Sequence, residues 1–372
     1  MKIIPTEFAM PRRILFGIGK INELLNESII FGNRGMIVHG TSAERNGALT
    51  SIAKSKKSSV KIFFYKHEGG EPTLRQLDVI REFASKHKVD WICGVGGGSV
   101  IDIAKACAGL MNAPLHSEAY HDGAEIIPSN IPFIAVPTTA GTGSEATFVC
   151  VFTNERTNTK KSFRHPCFMA NTVFLDASLL ATCPHHVIAY AGMDAITQAI
   201  ESFSSNRSTW LTDIFSTQAI DMLYHNLIPL FTGKGNEHST EKVLLGSFFA
   251  GVALCNARLG LVHGLAHPLG AFYKQPHGLV CAICLPFVLE YNRSVLGDKY
   301  EQLAIILRHD PVRAIKKLLR KLHIKSPFTN RTIDDIIMER MIKETLESGS
   351  TAANPRKVGE KDVYQIILRI FR

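Results

Sequence analysis

The sequence lacks several features that would place it outside the ordinary globular enzymes. It has no region of low complexity or disordered composition and no internal repeat, so fibrous and solenoid architectures are excluded. Near the start, Pro5, Glu7 and Pro11 interrupt the apolar residues, which is not the pattern of a signal peptide. We also find no apolar run long enough to cross a bilayer. These absences predict a cytoplasmic protein without a membrane partner.

Acidic residues are the scarcer charged class, with 33 Asp and Glu against 42 Lys and Arg, which gives a formal net charge of +9. Clustered positive charge is typical of proteins that bind nucleic acids. Here the basic residues are dispersed, and the densest group, 313–325, alternates with Ile and Leu at helical spacing as a solvated helix face does. No basic stretch is interleaved with aromatic residues for stacking on bases. We therefore expect no nucleic-acid partner, and a salt-dependent affinity for DNA would contradict this expectation.

Cysteines are few and isolated, and of the eight only Cys281 and Cys284 form a Cys-X-X-Cys pair. Because a second pair is missing, neither a zinc module nor a disulfide framework is indicated. Several cysteines lie in apolar runs, such as Cys93 after Trp91 and Ile92, which predicts small buried thiols in a reducing compartment. A redox or zinc role for the Cys281 pair remains the alternative.

What the chain does contain is a change of periodicity near its middle. Up to about residue 178, β-branched runs alternate with amphipathic stretches, which predicts a parallel sheet covered by helices, with strands at 35–38, 60–65, 91–95 and 133–136. We expect a hairpin to interrupt this pattern, its strands at 148–154 and 172–175 flanking the polar stretch 155–164. From about Pro184 onward, helical periodicity predicts helices at 187–202, 210–230, 242–256 and 312–322.

The length supports the same division. At about 100 to 200 residues per domain, a chain of 372 residues is expected to form two domains. We therefore predict an α/β dinucleotide-binding domain at 1–178 and an all-helical domain at 179–372, which would carry the metal and substrate sites.

A glycine-rich turn, Gly96-Gly97-Gly98-Ser99, joins a predicted strand to a predicted helix. Such a turn presents backbone amides and a helix amino terminus to an anion, and its glycines let the backbone approach a pyrophosphate. Ser99 is expected to cap the helix and contact a phosphate oxygen. The alternative is a tight turn without a ligand, although one glycine would suffice for that.

A second loop, Thr138 to Glu145, follows the next predicted strand and is rich in hydroxyl groups and small residues. Two such loops at neighbouring strand ends suit a dinucleotide in the crevice of a parallel sheet. By contrast, Gly17-Ile18-Gly19 near the start lacks the third glycine of the dinucleotide fingerprint, and we interpret it as a turn.

Polar side chains suited to a metal ion recur in the apolar helical half. Asp194 and Gln198 are four residues apart and so share one helix face, and His263 and His267 repeat that spacing. His277 follows in a predicted turn. Unpaired burial of such groups costs ~1 to 3 kcal/mol each, so they need partners. A carboxylate with two or three imidazoles suits Fe(II) or Zn(II), whereas each histidine alone is explained equally well as a satisfied core residue.

Together these segments resemble the iron-dependent (group III) alcohol dehydrogenases. The matching stretches cover nearly the whole chain, at 96–105, 137–145, 192–195, 263–270, 276–278 and 354–356. The resemblance implies a dehydroquinate-synthase-like architecture with an amino-terminal α/β domain that binds NAD(P), a carboxy-terminal helical domain and a divalent metal in the cleft between them. It also implies a homo-oligomer, a dimer or larger.

Matched residue by residue, the resemblance assigns roles to individual positions. The metal ligands fall on Asp194, Gln198, His263 and His277, and His267 lies beside the nicotinamide. Cofactor contacts fall on Gly97, Gly98, Ser99, Thr138, Thr139, Thr142 and Lys160, together with Gly96 of the same glycine turn and Gly40 at the end of the first main strand.

This chain departs from the family pattern at two of these positions. The family commonly has His at position 198, and the neutral amide oxygen of Gln198 is a poorer ligand for Fe(II) or Zn(II) than an imidazole. The family also often has an Asp just after the first strand, where it bonds the adenosine ribose. Here that place is held by Gly40, or by His39 if the register slips, and the loss of a carboxylate favours NADP over NAD because it removes repulsion of the 2′-phosphate.

We therefore predict an oxidoreductase that transfers a hydride between NAD(P) and a small alcohol or aldehyde, in which the metal polarises the substrate oxygen and His267 relays the proton. Because of Gln198, one alternative is a metal-independent NAD(P)H reductase, or a polyol or glycerol-phosphate dehydrogenase, of the same superfamily. An alternative of another class is a nucleotide-binding protein without turnover. The sequence does not name the substrate.

Overall fold

The computed structural model describes residues 7–55, 59–157 and 159–372. These residues form two compact units, one spanning Ala9–Cys183 and the other built from Pro184–Arg372 together with residues 7–8. We retain the division into 1–178 and 179–372 as a proposal for the functional domains.

The strands of the first unit belong to two sheets. Within the described residues they are β1 (Arg13–Phe16), β2 (Arg34–His39), β3 (Lys61–Lys66), β4 (Trp91–Gly96), β5 (Phe133–Pro137), β6 (Val149–Asn154), β7 (Thr159–Arg164) and β8 (Thr172–Leu175). In the described chain, six of them form a parallel sheet in the order β1-β8-β5-β4-β2-β3, and β6 pairs with β7 in an antiparallel ribbon.

Helices follow most of the parallel strands. They are α1 (Leu24–Ser28), α2 (Thr41–Arg45), α3 (Ala48–Lys54), α4 (Leu74–Lys86), α5 (Gly98–Leu110) and α6 (Ser117–His121). Thr73 and Gln76 form a reciprocal capping box that sets the start of α4. Every residue of the central strands β4 and β5 is buried, as expected for parallel strands covered on both faces.

The predicted strands β2, β3, β4 and β5 are confirmed to within a residue or two. The predicted hairpin is wrong in its second strand, because β6 pairs with 159–164, inside the stretch interpreted as polar linker, while Thr172–Leu175 joins the parallel sheet between β1 and β5. The residues of β7 are mostly polar and mostly exposed, so this strand lacks the apolar pattern from which strands were predicted. The sequence analysis also missed the short edge strand β1. Gly17 and Gly19 form the turn after it, as interpreted.

All regular elements described in the second unit are helices. Its helices are α7 (His185–Ser204), α8 (Trp210–Phe231), α9 (Glu237–Ala257), α10 (Leu261–Tyr273), α11 (His277–Leu296), α12 (Asp298–Leu307), α13 (Pro311–Lys321), α14 (Asp335–Glu347) and α15 (Glu360–Phe371). All four helices predicted from periodicity are confirmed as α7, α8, α9 and α13. Helix α9 starts five residues before its predicted start at residue 242, because the Asn236 side chain accepts from the Ser239 amide and caps it there.

By length and composition alone, α11 is long and apolar enough to cross a membrane, and the bent pair α9 and α10 passes the same test as one broken span. The expectation that no run meets this criterion is therefore wrong. In the structure, 67% of the apolar window of α11 is buried, as in the core helix of a globular unit.

Candidate functional site

The carboxyl ends of β2 and β4 flank the point where the strand order of the parallel sheet reverses. The chain passes from β2 outward to β3, returns to β4 on the other side of β2, and continues from there to β5. Ligands of open α/β sheets bind in the crevice at such a switch point. Gly40 follows β2 and Gly97 follows β4, each directly before the first residue of a helix. Two residues expected to contact the cofactor thus lie at this crevice.

The glycine turn is closely packed on its neighbours. A side-chain carbon at Gly96 would lie 2.6 Å from the β-carbon of Val100, and one at Gly98 would lie 2.7 Å from the γ-carbon of Thr142. Only glycine fits such gaps without a shift of its surroundings. The two predicted phosphate loops are therefore in contact with each other.

Ser99 does not cap the helix as expected. Helix α5 begins at Gly98, so Gly97 occupies the capping position, and no side chain of the described residues bonds the free amides there. Ser99 lies within the first turn of α5 and is partly exposed. The amide groups at the start of α5 are left to an anion, as the glycine turn predicts.

The hydroxyl-rich loop after β5 is fixed from two sides. The Thr138 amide donates to the Gly96 carbonyl at 2.9 Å, and the Thr138 and Ser42 hydroxyls share a hydrogen bond of 2.9 Å. Thr139 lies beside Gly97, and Thr142 is exposed at the loop surface. Lys160 lies apart from this loop in sequence, on β7, where its ammonium group pairs with the carboxylate of Glu71. Its contact with a cofactor stays a prediction.

Lys105 is a structural residue of this loop that the sequence analysis quoted only as part of a motif. Its side chain is fully buried, and its ammonium group donates to the carbonyls of Ser144, Thr147 and Val149 at 2.7, 3.2 and 2.6 Å. Asp102 lies 3.6 Å away as the nearest counter-ion. A buried lysine with several charged hydrogen bonds holds the loop against α5. The signal available in the sequence was a lone lysine among the apolar residues of this helix.

Glu145 ends the same loop with its carboxyl group buried. Burial raises the pKa of Glu145 to about 7, although Lys105 opposes that shift. The Glu145 Oε1 atom has no hydrogen-bond partner among the described residues. Near pH 7 the Glu145 carboxyl group is therefore divided between its protonated and its ionised form.

Three helices of the second unit bring a cluster of polar side chains together. Asp194 comes from α7, His263 from α10, and His277 and Cys281 from α11, and each offers one ligand atom such that these atoms all lie within 4.8 Å of one another. Gln198 shares the helix face of Asp194 as predicted, and its Nε2 atom donates to Asp194 Oδ2 at 3.1 Å. The structure thus gathers all four residues that the resemblance assigned to a metal.

The chemistry of this cluster fits a divalent cation. His263 Nδ1 bonds Glu201 Oε2 at 2.5 Å, and its Nε2 atom faces Asp194 Oδ1 at 3.4 Å. Asp194 Oδ1 and His263 Nε2 are both buried without a hydrogen-bond partner among the described residues. His277 Nε2 lies 3.7 Å from the same oxygen. Ligands held ~2.0 to 2.2 Å from a tetrahedral ion lie about 3.4 Å apart, so these separations match a shared ion.

Neighbouring groups lower the pKa of Asp194 and raise the pKa of His263. Burial opposes ionisation of Asp194, but the neighbouring imidazoles of His277 and His263 keep its pKa below the ordinary value. Burial also opposes protonation of His263, yet the nearby Cys281 and Glu201 raise its pKa well above the ordinary value. Without a cation the cluster therefore retains a proton, and metal uptake is coupled to its release.

Sequence reasoning missed two residues that hold this cluster in place. Glu201 is buried, and besides His263 its carboxylate accepts from the Val262 amide at 2.6 Å. Asn354 accepts from the Leu261 amide at 3.3 Å and so fixes the first turn of α10, which carries His263. A carboxylate seven residues after Asp194 on the same helix face was the available signal for Glu201.

His267 lies one turn after His263 on α10 and is exposed. Its ring centroid is 5.5 Å from that of His277, in an edge-on arrangement. The structure thus places His267 beside the cluster, on its solvent-facing side, where a proton can be exchanged with water.

A parallel sheet with a glycine-rich loop and a hydroxyl-rich loop after neighbouring strands is typical of nicotinamide-dependent oxidoreductases, and this chain also has a helical unit with a carboxylate and imidazole cluster. Two family models match the chain. One, described as iron-containing alcohol dehydrogenase, covers residues 11–177, and the other, described as the carboxy-terminal part of the same family, covers residues 188–371. The chain belongs to the iron-containing alcohol dehydrogenase family, whose members transfer a hydride between NAD(P) and alcohols or aldehydes.

Individual relatives agree with this assignment. The chain is 32% identical over 326 residues to a probable alcohol dehydrogenase of Escherichia coli (strain K12), covering 85% of this chain and 82% of the relative. It is 28% identical over 388 residues to an NADPH-dependent butanol dehydrogenase of Clostridium saccharobutylicum, covering 96% of each. The structure of an alcohol dehydrogenase from Oenococcus oeni superposes with a TM-score of 0.91 at 29% identity, over 98% of this chain and 99% of the other.

Proposed function

We propose that this protein is an NADP-preferring dehydrogenase that interconverts small alcohols and aldehydes, with a divalent metal held by Asp194, His263 and His277. The observation that carries the proposal is the convergence of Asp194 Oδ1 and His263 Nε2, both buried and without a hydrogen-bond partner among the described residues, at 3.4 Å. A core without a ligand would pair such atoms. The relative named as an NADPH-dependent butanol dehydrogenase supports both the cofactor and the substrate class.

The chain's own residues have separate tasks in this reaction. Glu201 holds His263 in the tautomer that presents Nε2, and Asp194 and His277 orient their ligand atoms toward the same point. When bound, the cation supplies Lewis acidity toward the substrate oxygen. His267 takes up the hydroxyl proton at a ring nitrogen during alcohol oxidation, while the hydride leaves the carbinol carbon for NADP. In aldehyde reduction His267 returns that proton.

A substitution at His267 tests the proton relay. We expect His267→Ala to lower turnover by roughly 100-fold, as is usual for loss of a general acid or base, and to remove one limb of the pH profile. The matched control is His238→Ala on α9, which changes an exposed histidine. Unchanged turnover and an unchanged pH profile in His267→Ala would show that the relay is assigned to the wrong residue.

The NADP preference rests on the end of β2. Gly40 has no carboxylate to repel a 2′-phosphate, and Lys66 lies opposite His39 in the sheet register. A side-chain carbon at Gly40 would lie 3.1 Å from Val100 Cγ2, so a small residue fits with a slight adjustment. We expect Gly40→Asp to move the ratio of kcat/KM for NADPH over NADH toward NADH by roughly ten-fold or more, equivalent to about 1.4 kcal/mol. Gly40→Ala adds the same carbon without charge and should leave the ratio unchanged.

The metal requirement is tested on the purified protein. Elemental analysis, followed by chelation and an assay of NADPH consumption across a panel of small aldehydes, should show one bound Fe(II) or Zn(II) and loss of activity after its removal. Full activity without metal would favour the alternative reductase, or a polyol dehydrogenase, that Gln198 suggests. Cofactor binding without consumption of NADPH on any aldehyde would instead favour a non-catalytic nucleotide-binding protein.

We further propose a cytoplasmic homo-oligomer. The described structure contains eight cysteines and no disulfide, and six of the eight are buried, which suits a reducing compartment. Trp210 and Ile214 are one turn apart on α8 and are 59% and 40% exposed, an apolar surface that a second copy would cover. Light scattering should give at least a dimer, and a monomer at micromolar concentration would contradict the proposal.

A further inference from the structure

Cys281 belongs to the polar cluster, whereas the sequence favoured a small buried thiol and left a redox or zinc role of the Cys281 pair as the alternative. It follows His277 by one turn of α11, and its Sγ atom lies 3.6 Å from His277 Nε2. Asp194 and His263 reach the same point from α7 and α10. Its side chain is fully buried, so the thiol faces these groups and not solvent.

The separation of Cys281 from His277 is that expected of two ligands on a shared ion. A sulfur about 2.3 Å and a nitrogen about 2.1 Å from one tetrahedral metal are separated by about 3.6 Å. The separation of Sγ from His277 Nε2 is 3.6 Å, and Asp194 Oδ1 lies 3.4 and 3.7 Å from the two imidazole nitrogens. These three separations match the edges of a tetrahedral ligand set, and the four ligand atoms all lie within 4.8 Å of one another.

Gln198, by contrast, is engaged with the other oxygen of Asp194. Its Nε2 donates to Oδ2, while Oδ1 faces the imidazoles. Reversing the amide would set its oxygen against a carboxylate oxygen, so the observed orientation is electrostatically preferred. This hydrogen bond suits Gln198 to orienting Asp194. Its Oε1 atom is buried without a hydrogen-bond partner among the described residues, so Gln198 and Cys281 compete for the fourth ligand position, and a thiolate is the stronger donor.

We propose that the fourth metal ligand is the thiolate of Cys281 and that Gln198 positions Asp194 by a hydrogen bond. This inference rests on the metal site of the proposed function. As the sulfur–metal bond forms, the S–H bond breaks and its proton passes to solvent. The ligand set of one carboxylate, one thiolate and two neutral imidazoles balances a dication and selects Zn(II) over the harder divalent ions, because thiolate is a soft donor.

The competing explanation is a thiol that only donates a hydrogen bond to His277. Cobalt(II) separates the two, because a cobalt–thiolate bond adds a near-ultraviolet charge-transfer band that oxygen and nitrogen ligands do not produce. The protein, stripped by chelation, is titrated with Co(II) alone. We expect the wild type to show the charge-transfer band at one equivalent of Co(II).

Variants assign the band to a residue. Cys281→Ser should abolish it and weaken Co(II) binding by on the order of 100-fold, given that loss of outer partners alone costs ~10 to 100-fold. Cys284→Ser is the matched control, a buried cysteine of the same helix outside the cluster, and should retain the band. Gln198→Leu should also retain it, with binding weakened less than in Cys281→Ser.

A measurement on the wild type keeps the test independent of folding of the variants. X-ray absorption of the Zn(II)-loaded protein should show one sulfur at about 2.3 Å. Tight Co(II) binding without the band, or loss of metal in Gln198→Leu but not in Cys281→Ser, would overturn the thiolate ligand while leaving the metal site intact. Absence of any Co(II) or Zn(II) binding would overturn the metal site and this inference together.

Discussion

Removing the charge of Glu145 provides a direct test of how the second phosphate loop is built. The carboxyl group is 2% exposed, its Oε1 atom lacks a hydrogen-bond partner among the described residues, and burial raises its pKa from 4.5 to about 7. In Glu145→Gln the group is neutral at every pH and nearly the same size. The variant should therefore begin to differ from the wild type where the unfolded wild-type chain ionises, and the difference should reach its full size once the folded chain ionises as well.

The raised pKa of Glu145 sets the direction in which the free energy of unfolding changes with pH. Below pH 4.5 both the folded and the unfolded chain hold the proton of Glu145, and its contribution to stability is fully present. Between pH 4.5 and about 7 the unfolded chain releases the proton while the folded chain keeps it, so the free energy of unfolding decreases as pH rises. A shift from 4.5 to about 7, at about 1.4 kcal/mol per unit, corresponds to a loss of ~3 kcal/mol by pH 8.

The measurement is urea denaturation of wild type and Glu145→Gln at intervals from pH 4 to 8. Glu145→Gln should gain about 3 kcal/mol relative to wild type across this window, with most of the gain between pH 5 and 7. Glu82→Gln, at an exposed position of α4, is the matched control and should run parallel to the wild type. Parallel curves for Glu145→Gln as well would refute the reasoning, because the carboxyl group would then be as well solvated in the folded chain as in the unfolded one.

Three further substitutions test the packing around the loops and the cluster. Lys105→Met removes charged hydrogen bonds from a buried ammonium group to three carbonyls and should cost ~3 to 5 kcal/mol of the free energy of unfolding, measured by urea denaturation. Gly278→Ala would place a carbon 2.2 Å from the Tyr190 carbonyl oxygen, so α11 must move away from α7, and Zn(II) affinity measured by competition with a chelator should fall roughly 10-fold or more. Glu201→Gln weakens the hydrogen bond that orients His263 and should lower the same affinity by ~10 to 100-fold.

Each of these substitutions has a matched control at an exposed or open position. Lys161→Met changes a lysine whose side chain is 55% exposed, Gly349→Ala adds a carbon with no atom closer than 3.9 Å, and Glu339→Gln changes an exposed carboxylate of α14. In each control, the free energy of unfolding or of Zn(II) binding should lie within about 0.5 kcal/mol of the wild-type value. Equal effects in a substitution and its control would contradict the contact on which that prediction rests.

Local sequence pattern was sufficient to predict the elements that depend on a few neighbouring residues. Short β-branched runs and glycine turns predicted the strands β2, β4 and β5 and the loops after them, because such runs and turn chemistry act over a few residues. Spacing of four residues was enough to put Asp194 and Gln198 on one helix face. The roles of these residues toward cofactor and metal stay predictions.

Contacts between segments far apart in the chain could not be predicted from local pattern. The pairing of Thr172–Leu175 with β1 and β5 comes from sheet register and not from a nearby turn, so local pattern misassigned it. In the sequence Cys281 lies in an apolar run, and only the packing of α10 and α11 brings His263 and His277 close to its thiol. The direction in which Gln198 donates is likewise set by the imidazoles that occupy the other side of Asp194. A metal site needs several ligand atoms close to one point, and here those atoms come together only when α7, α10 and α11 pack against one another.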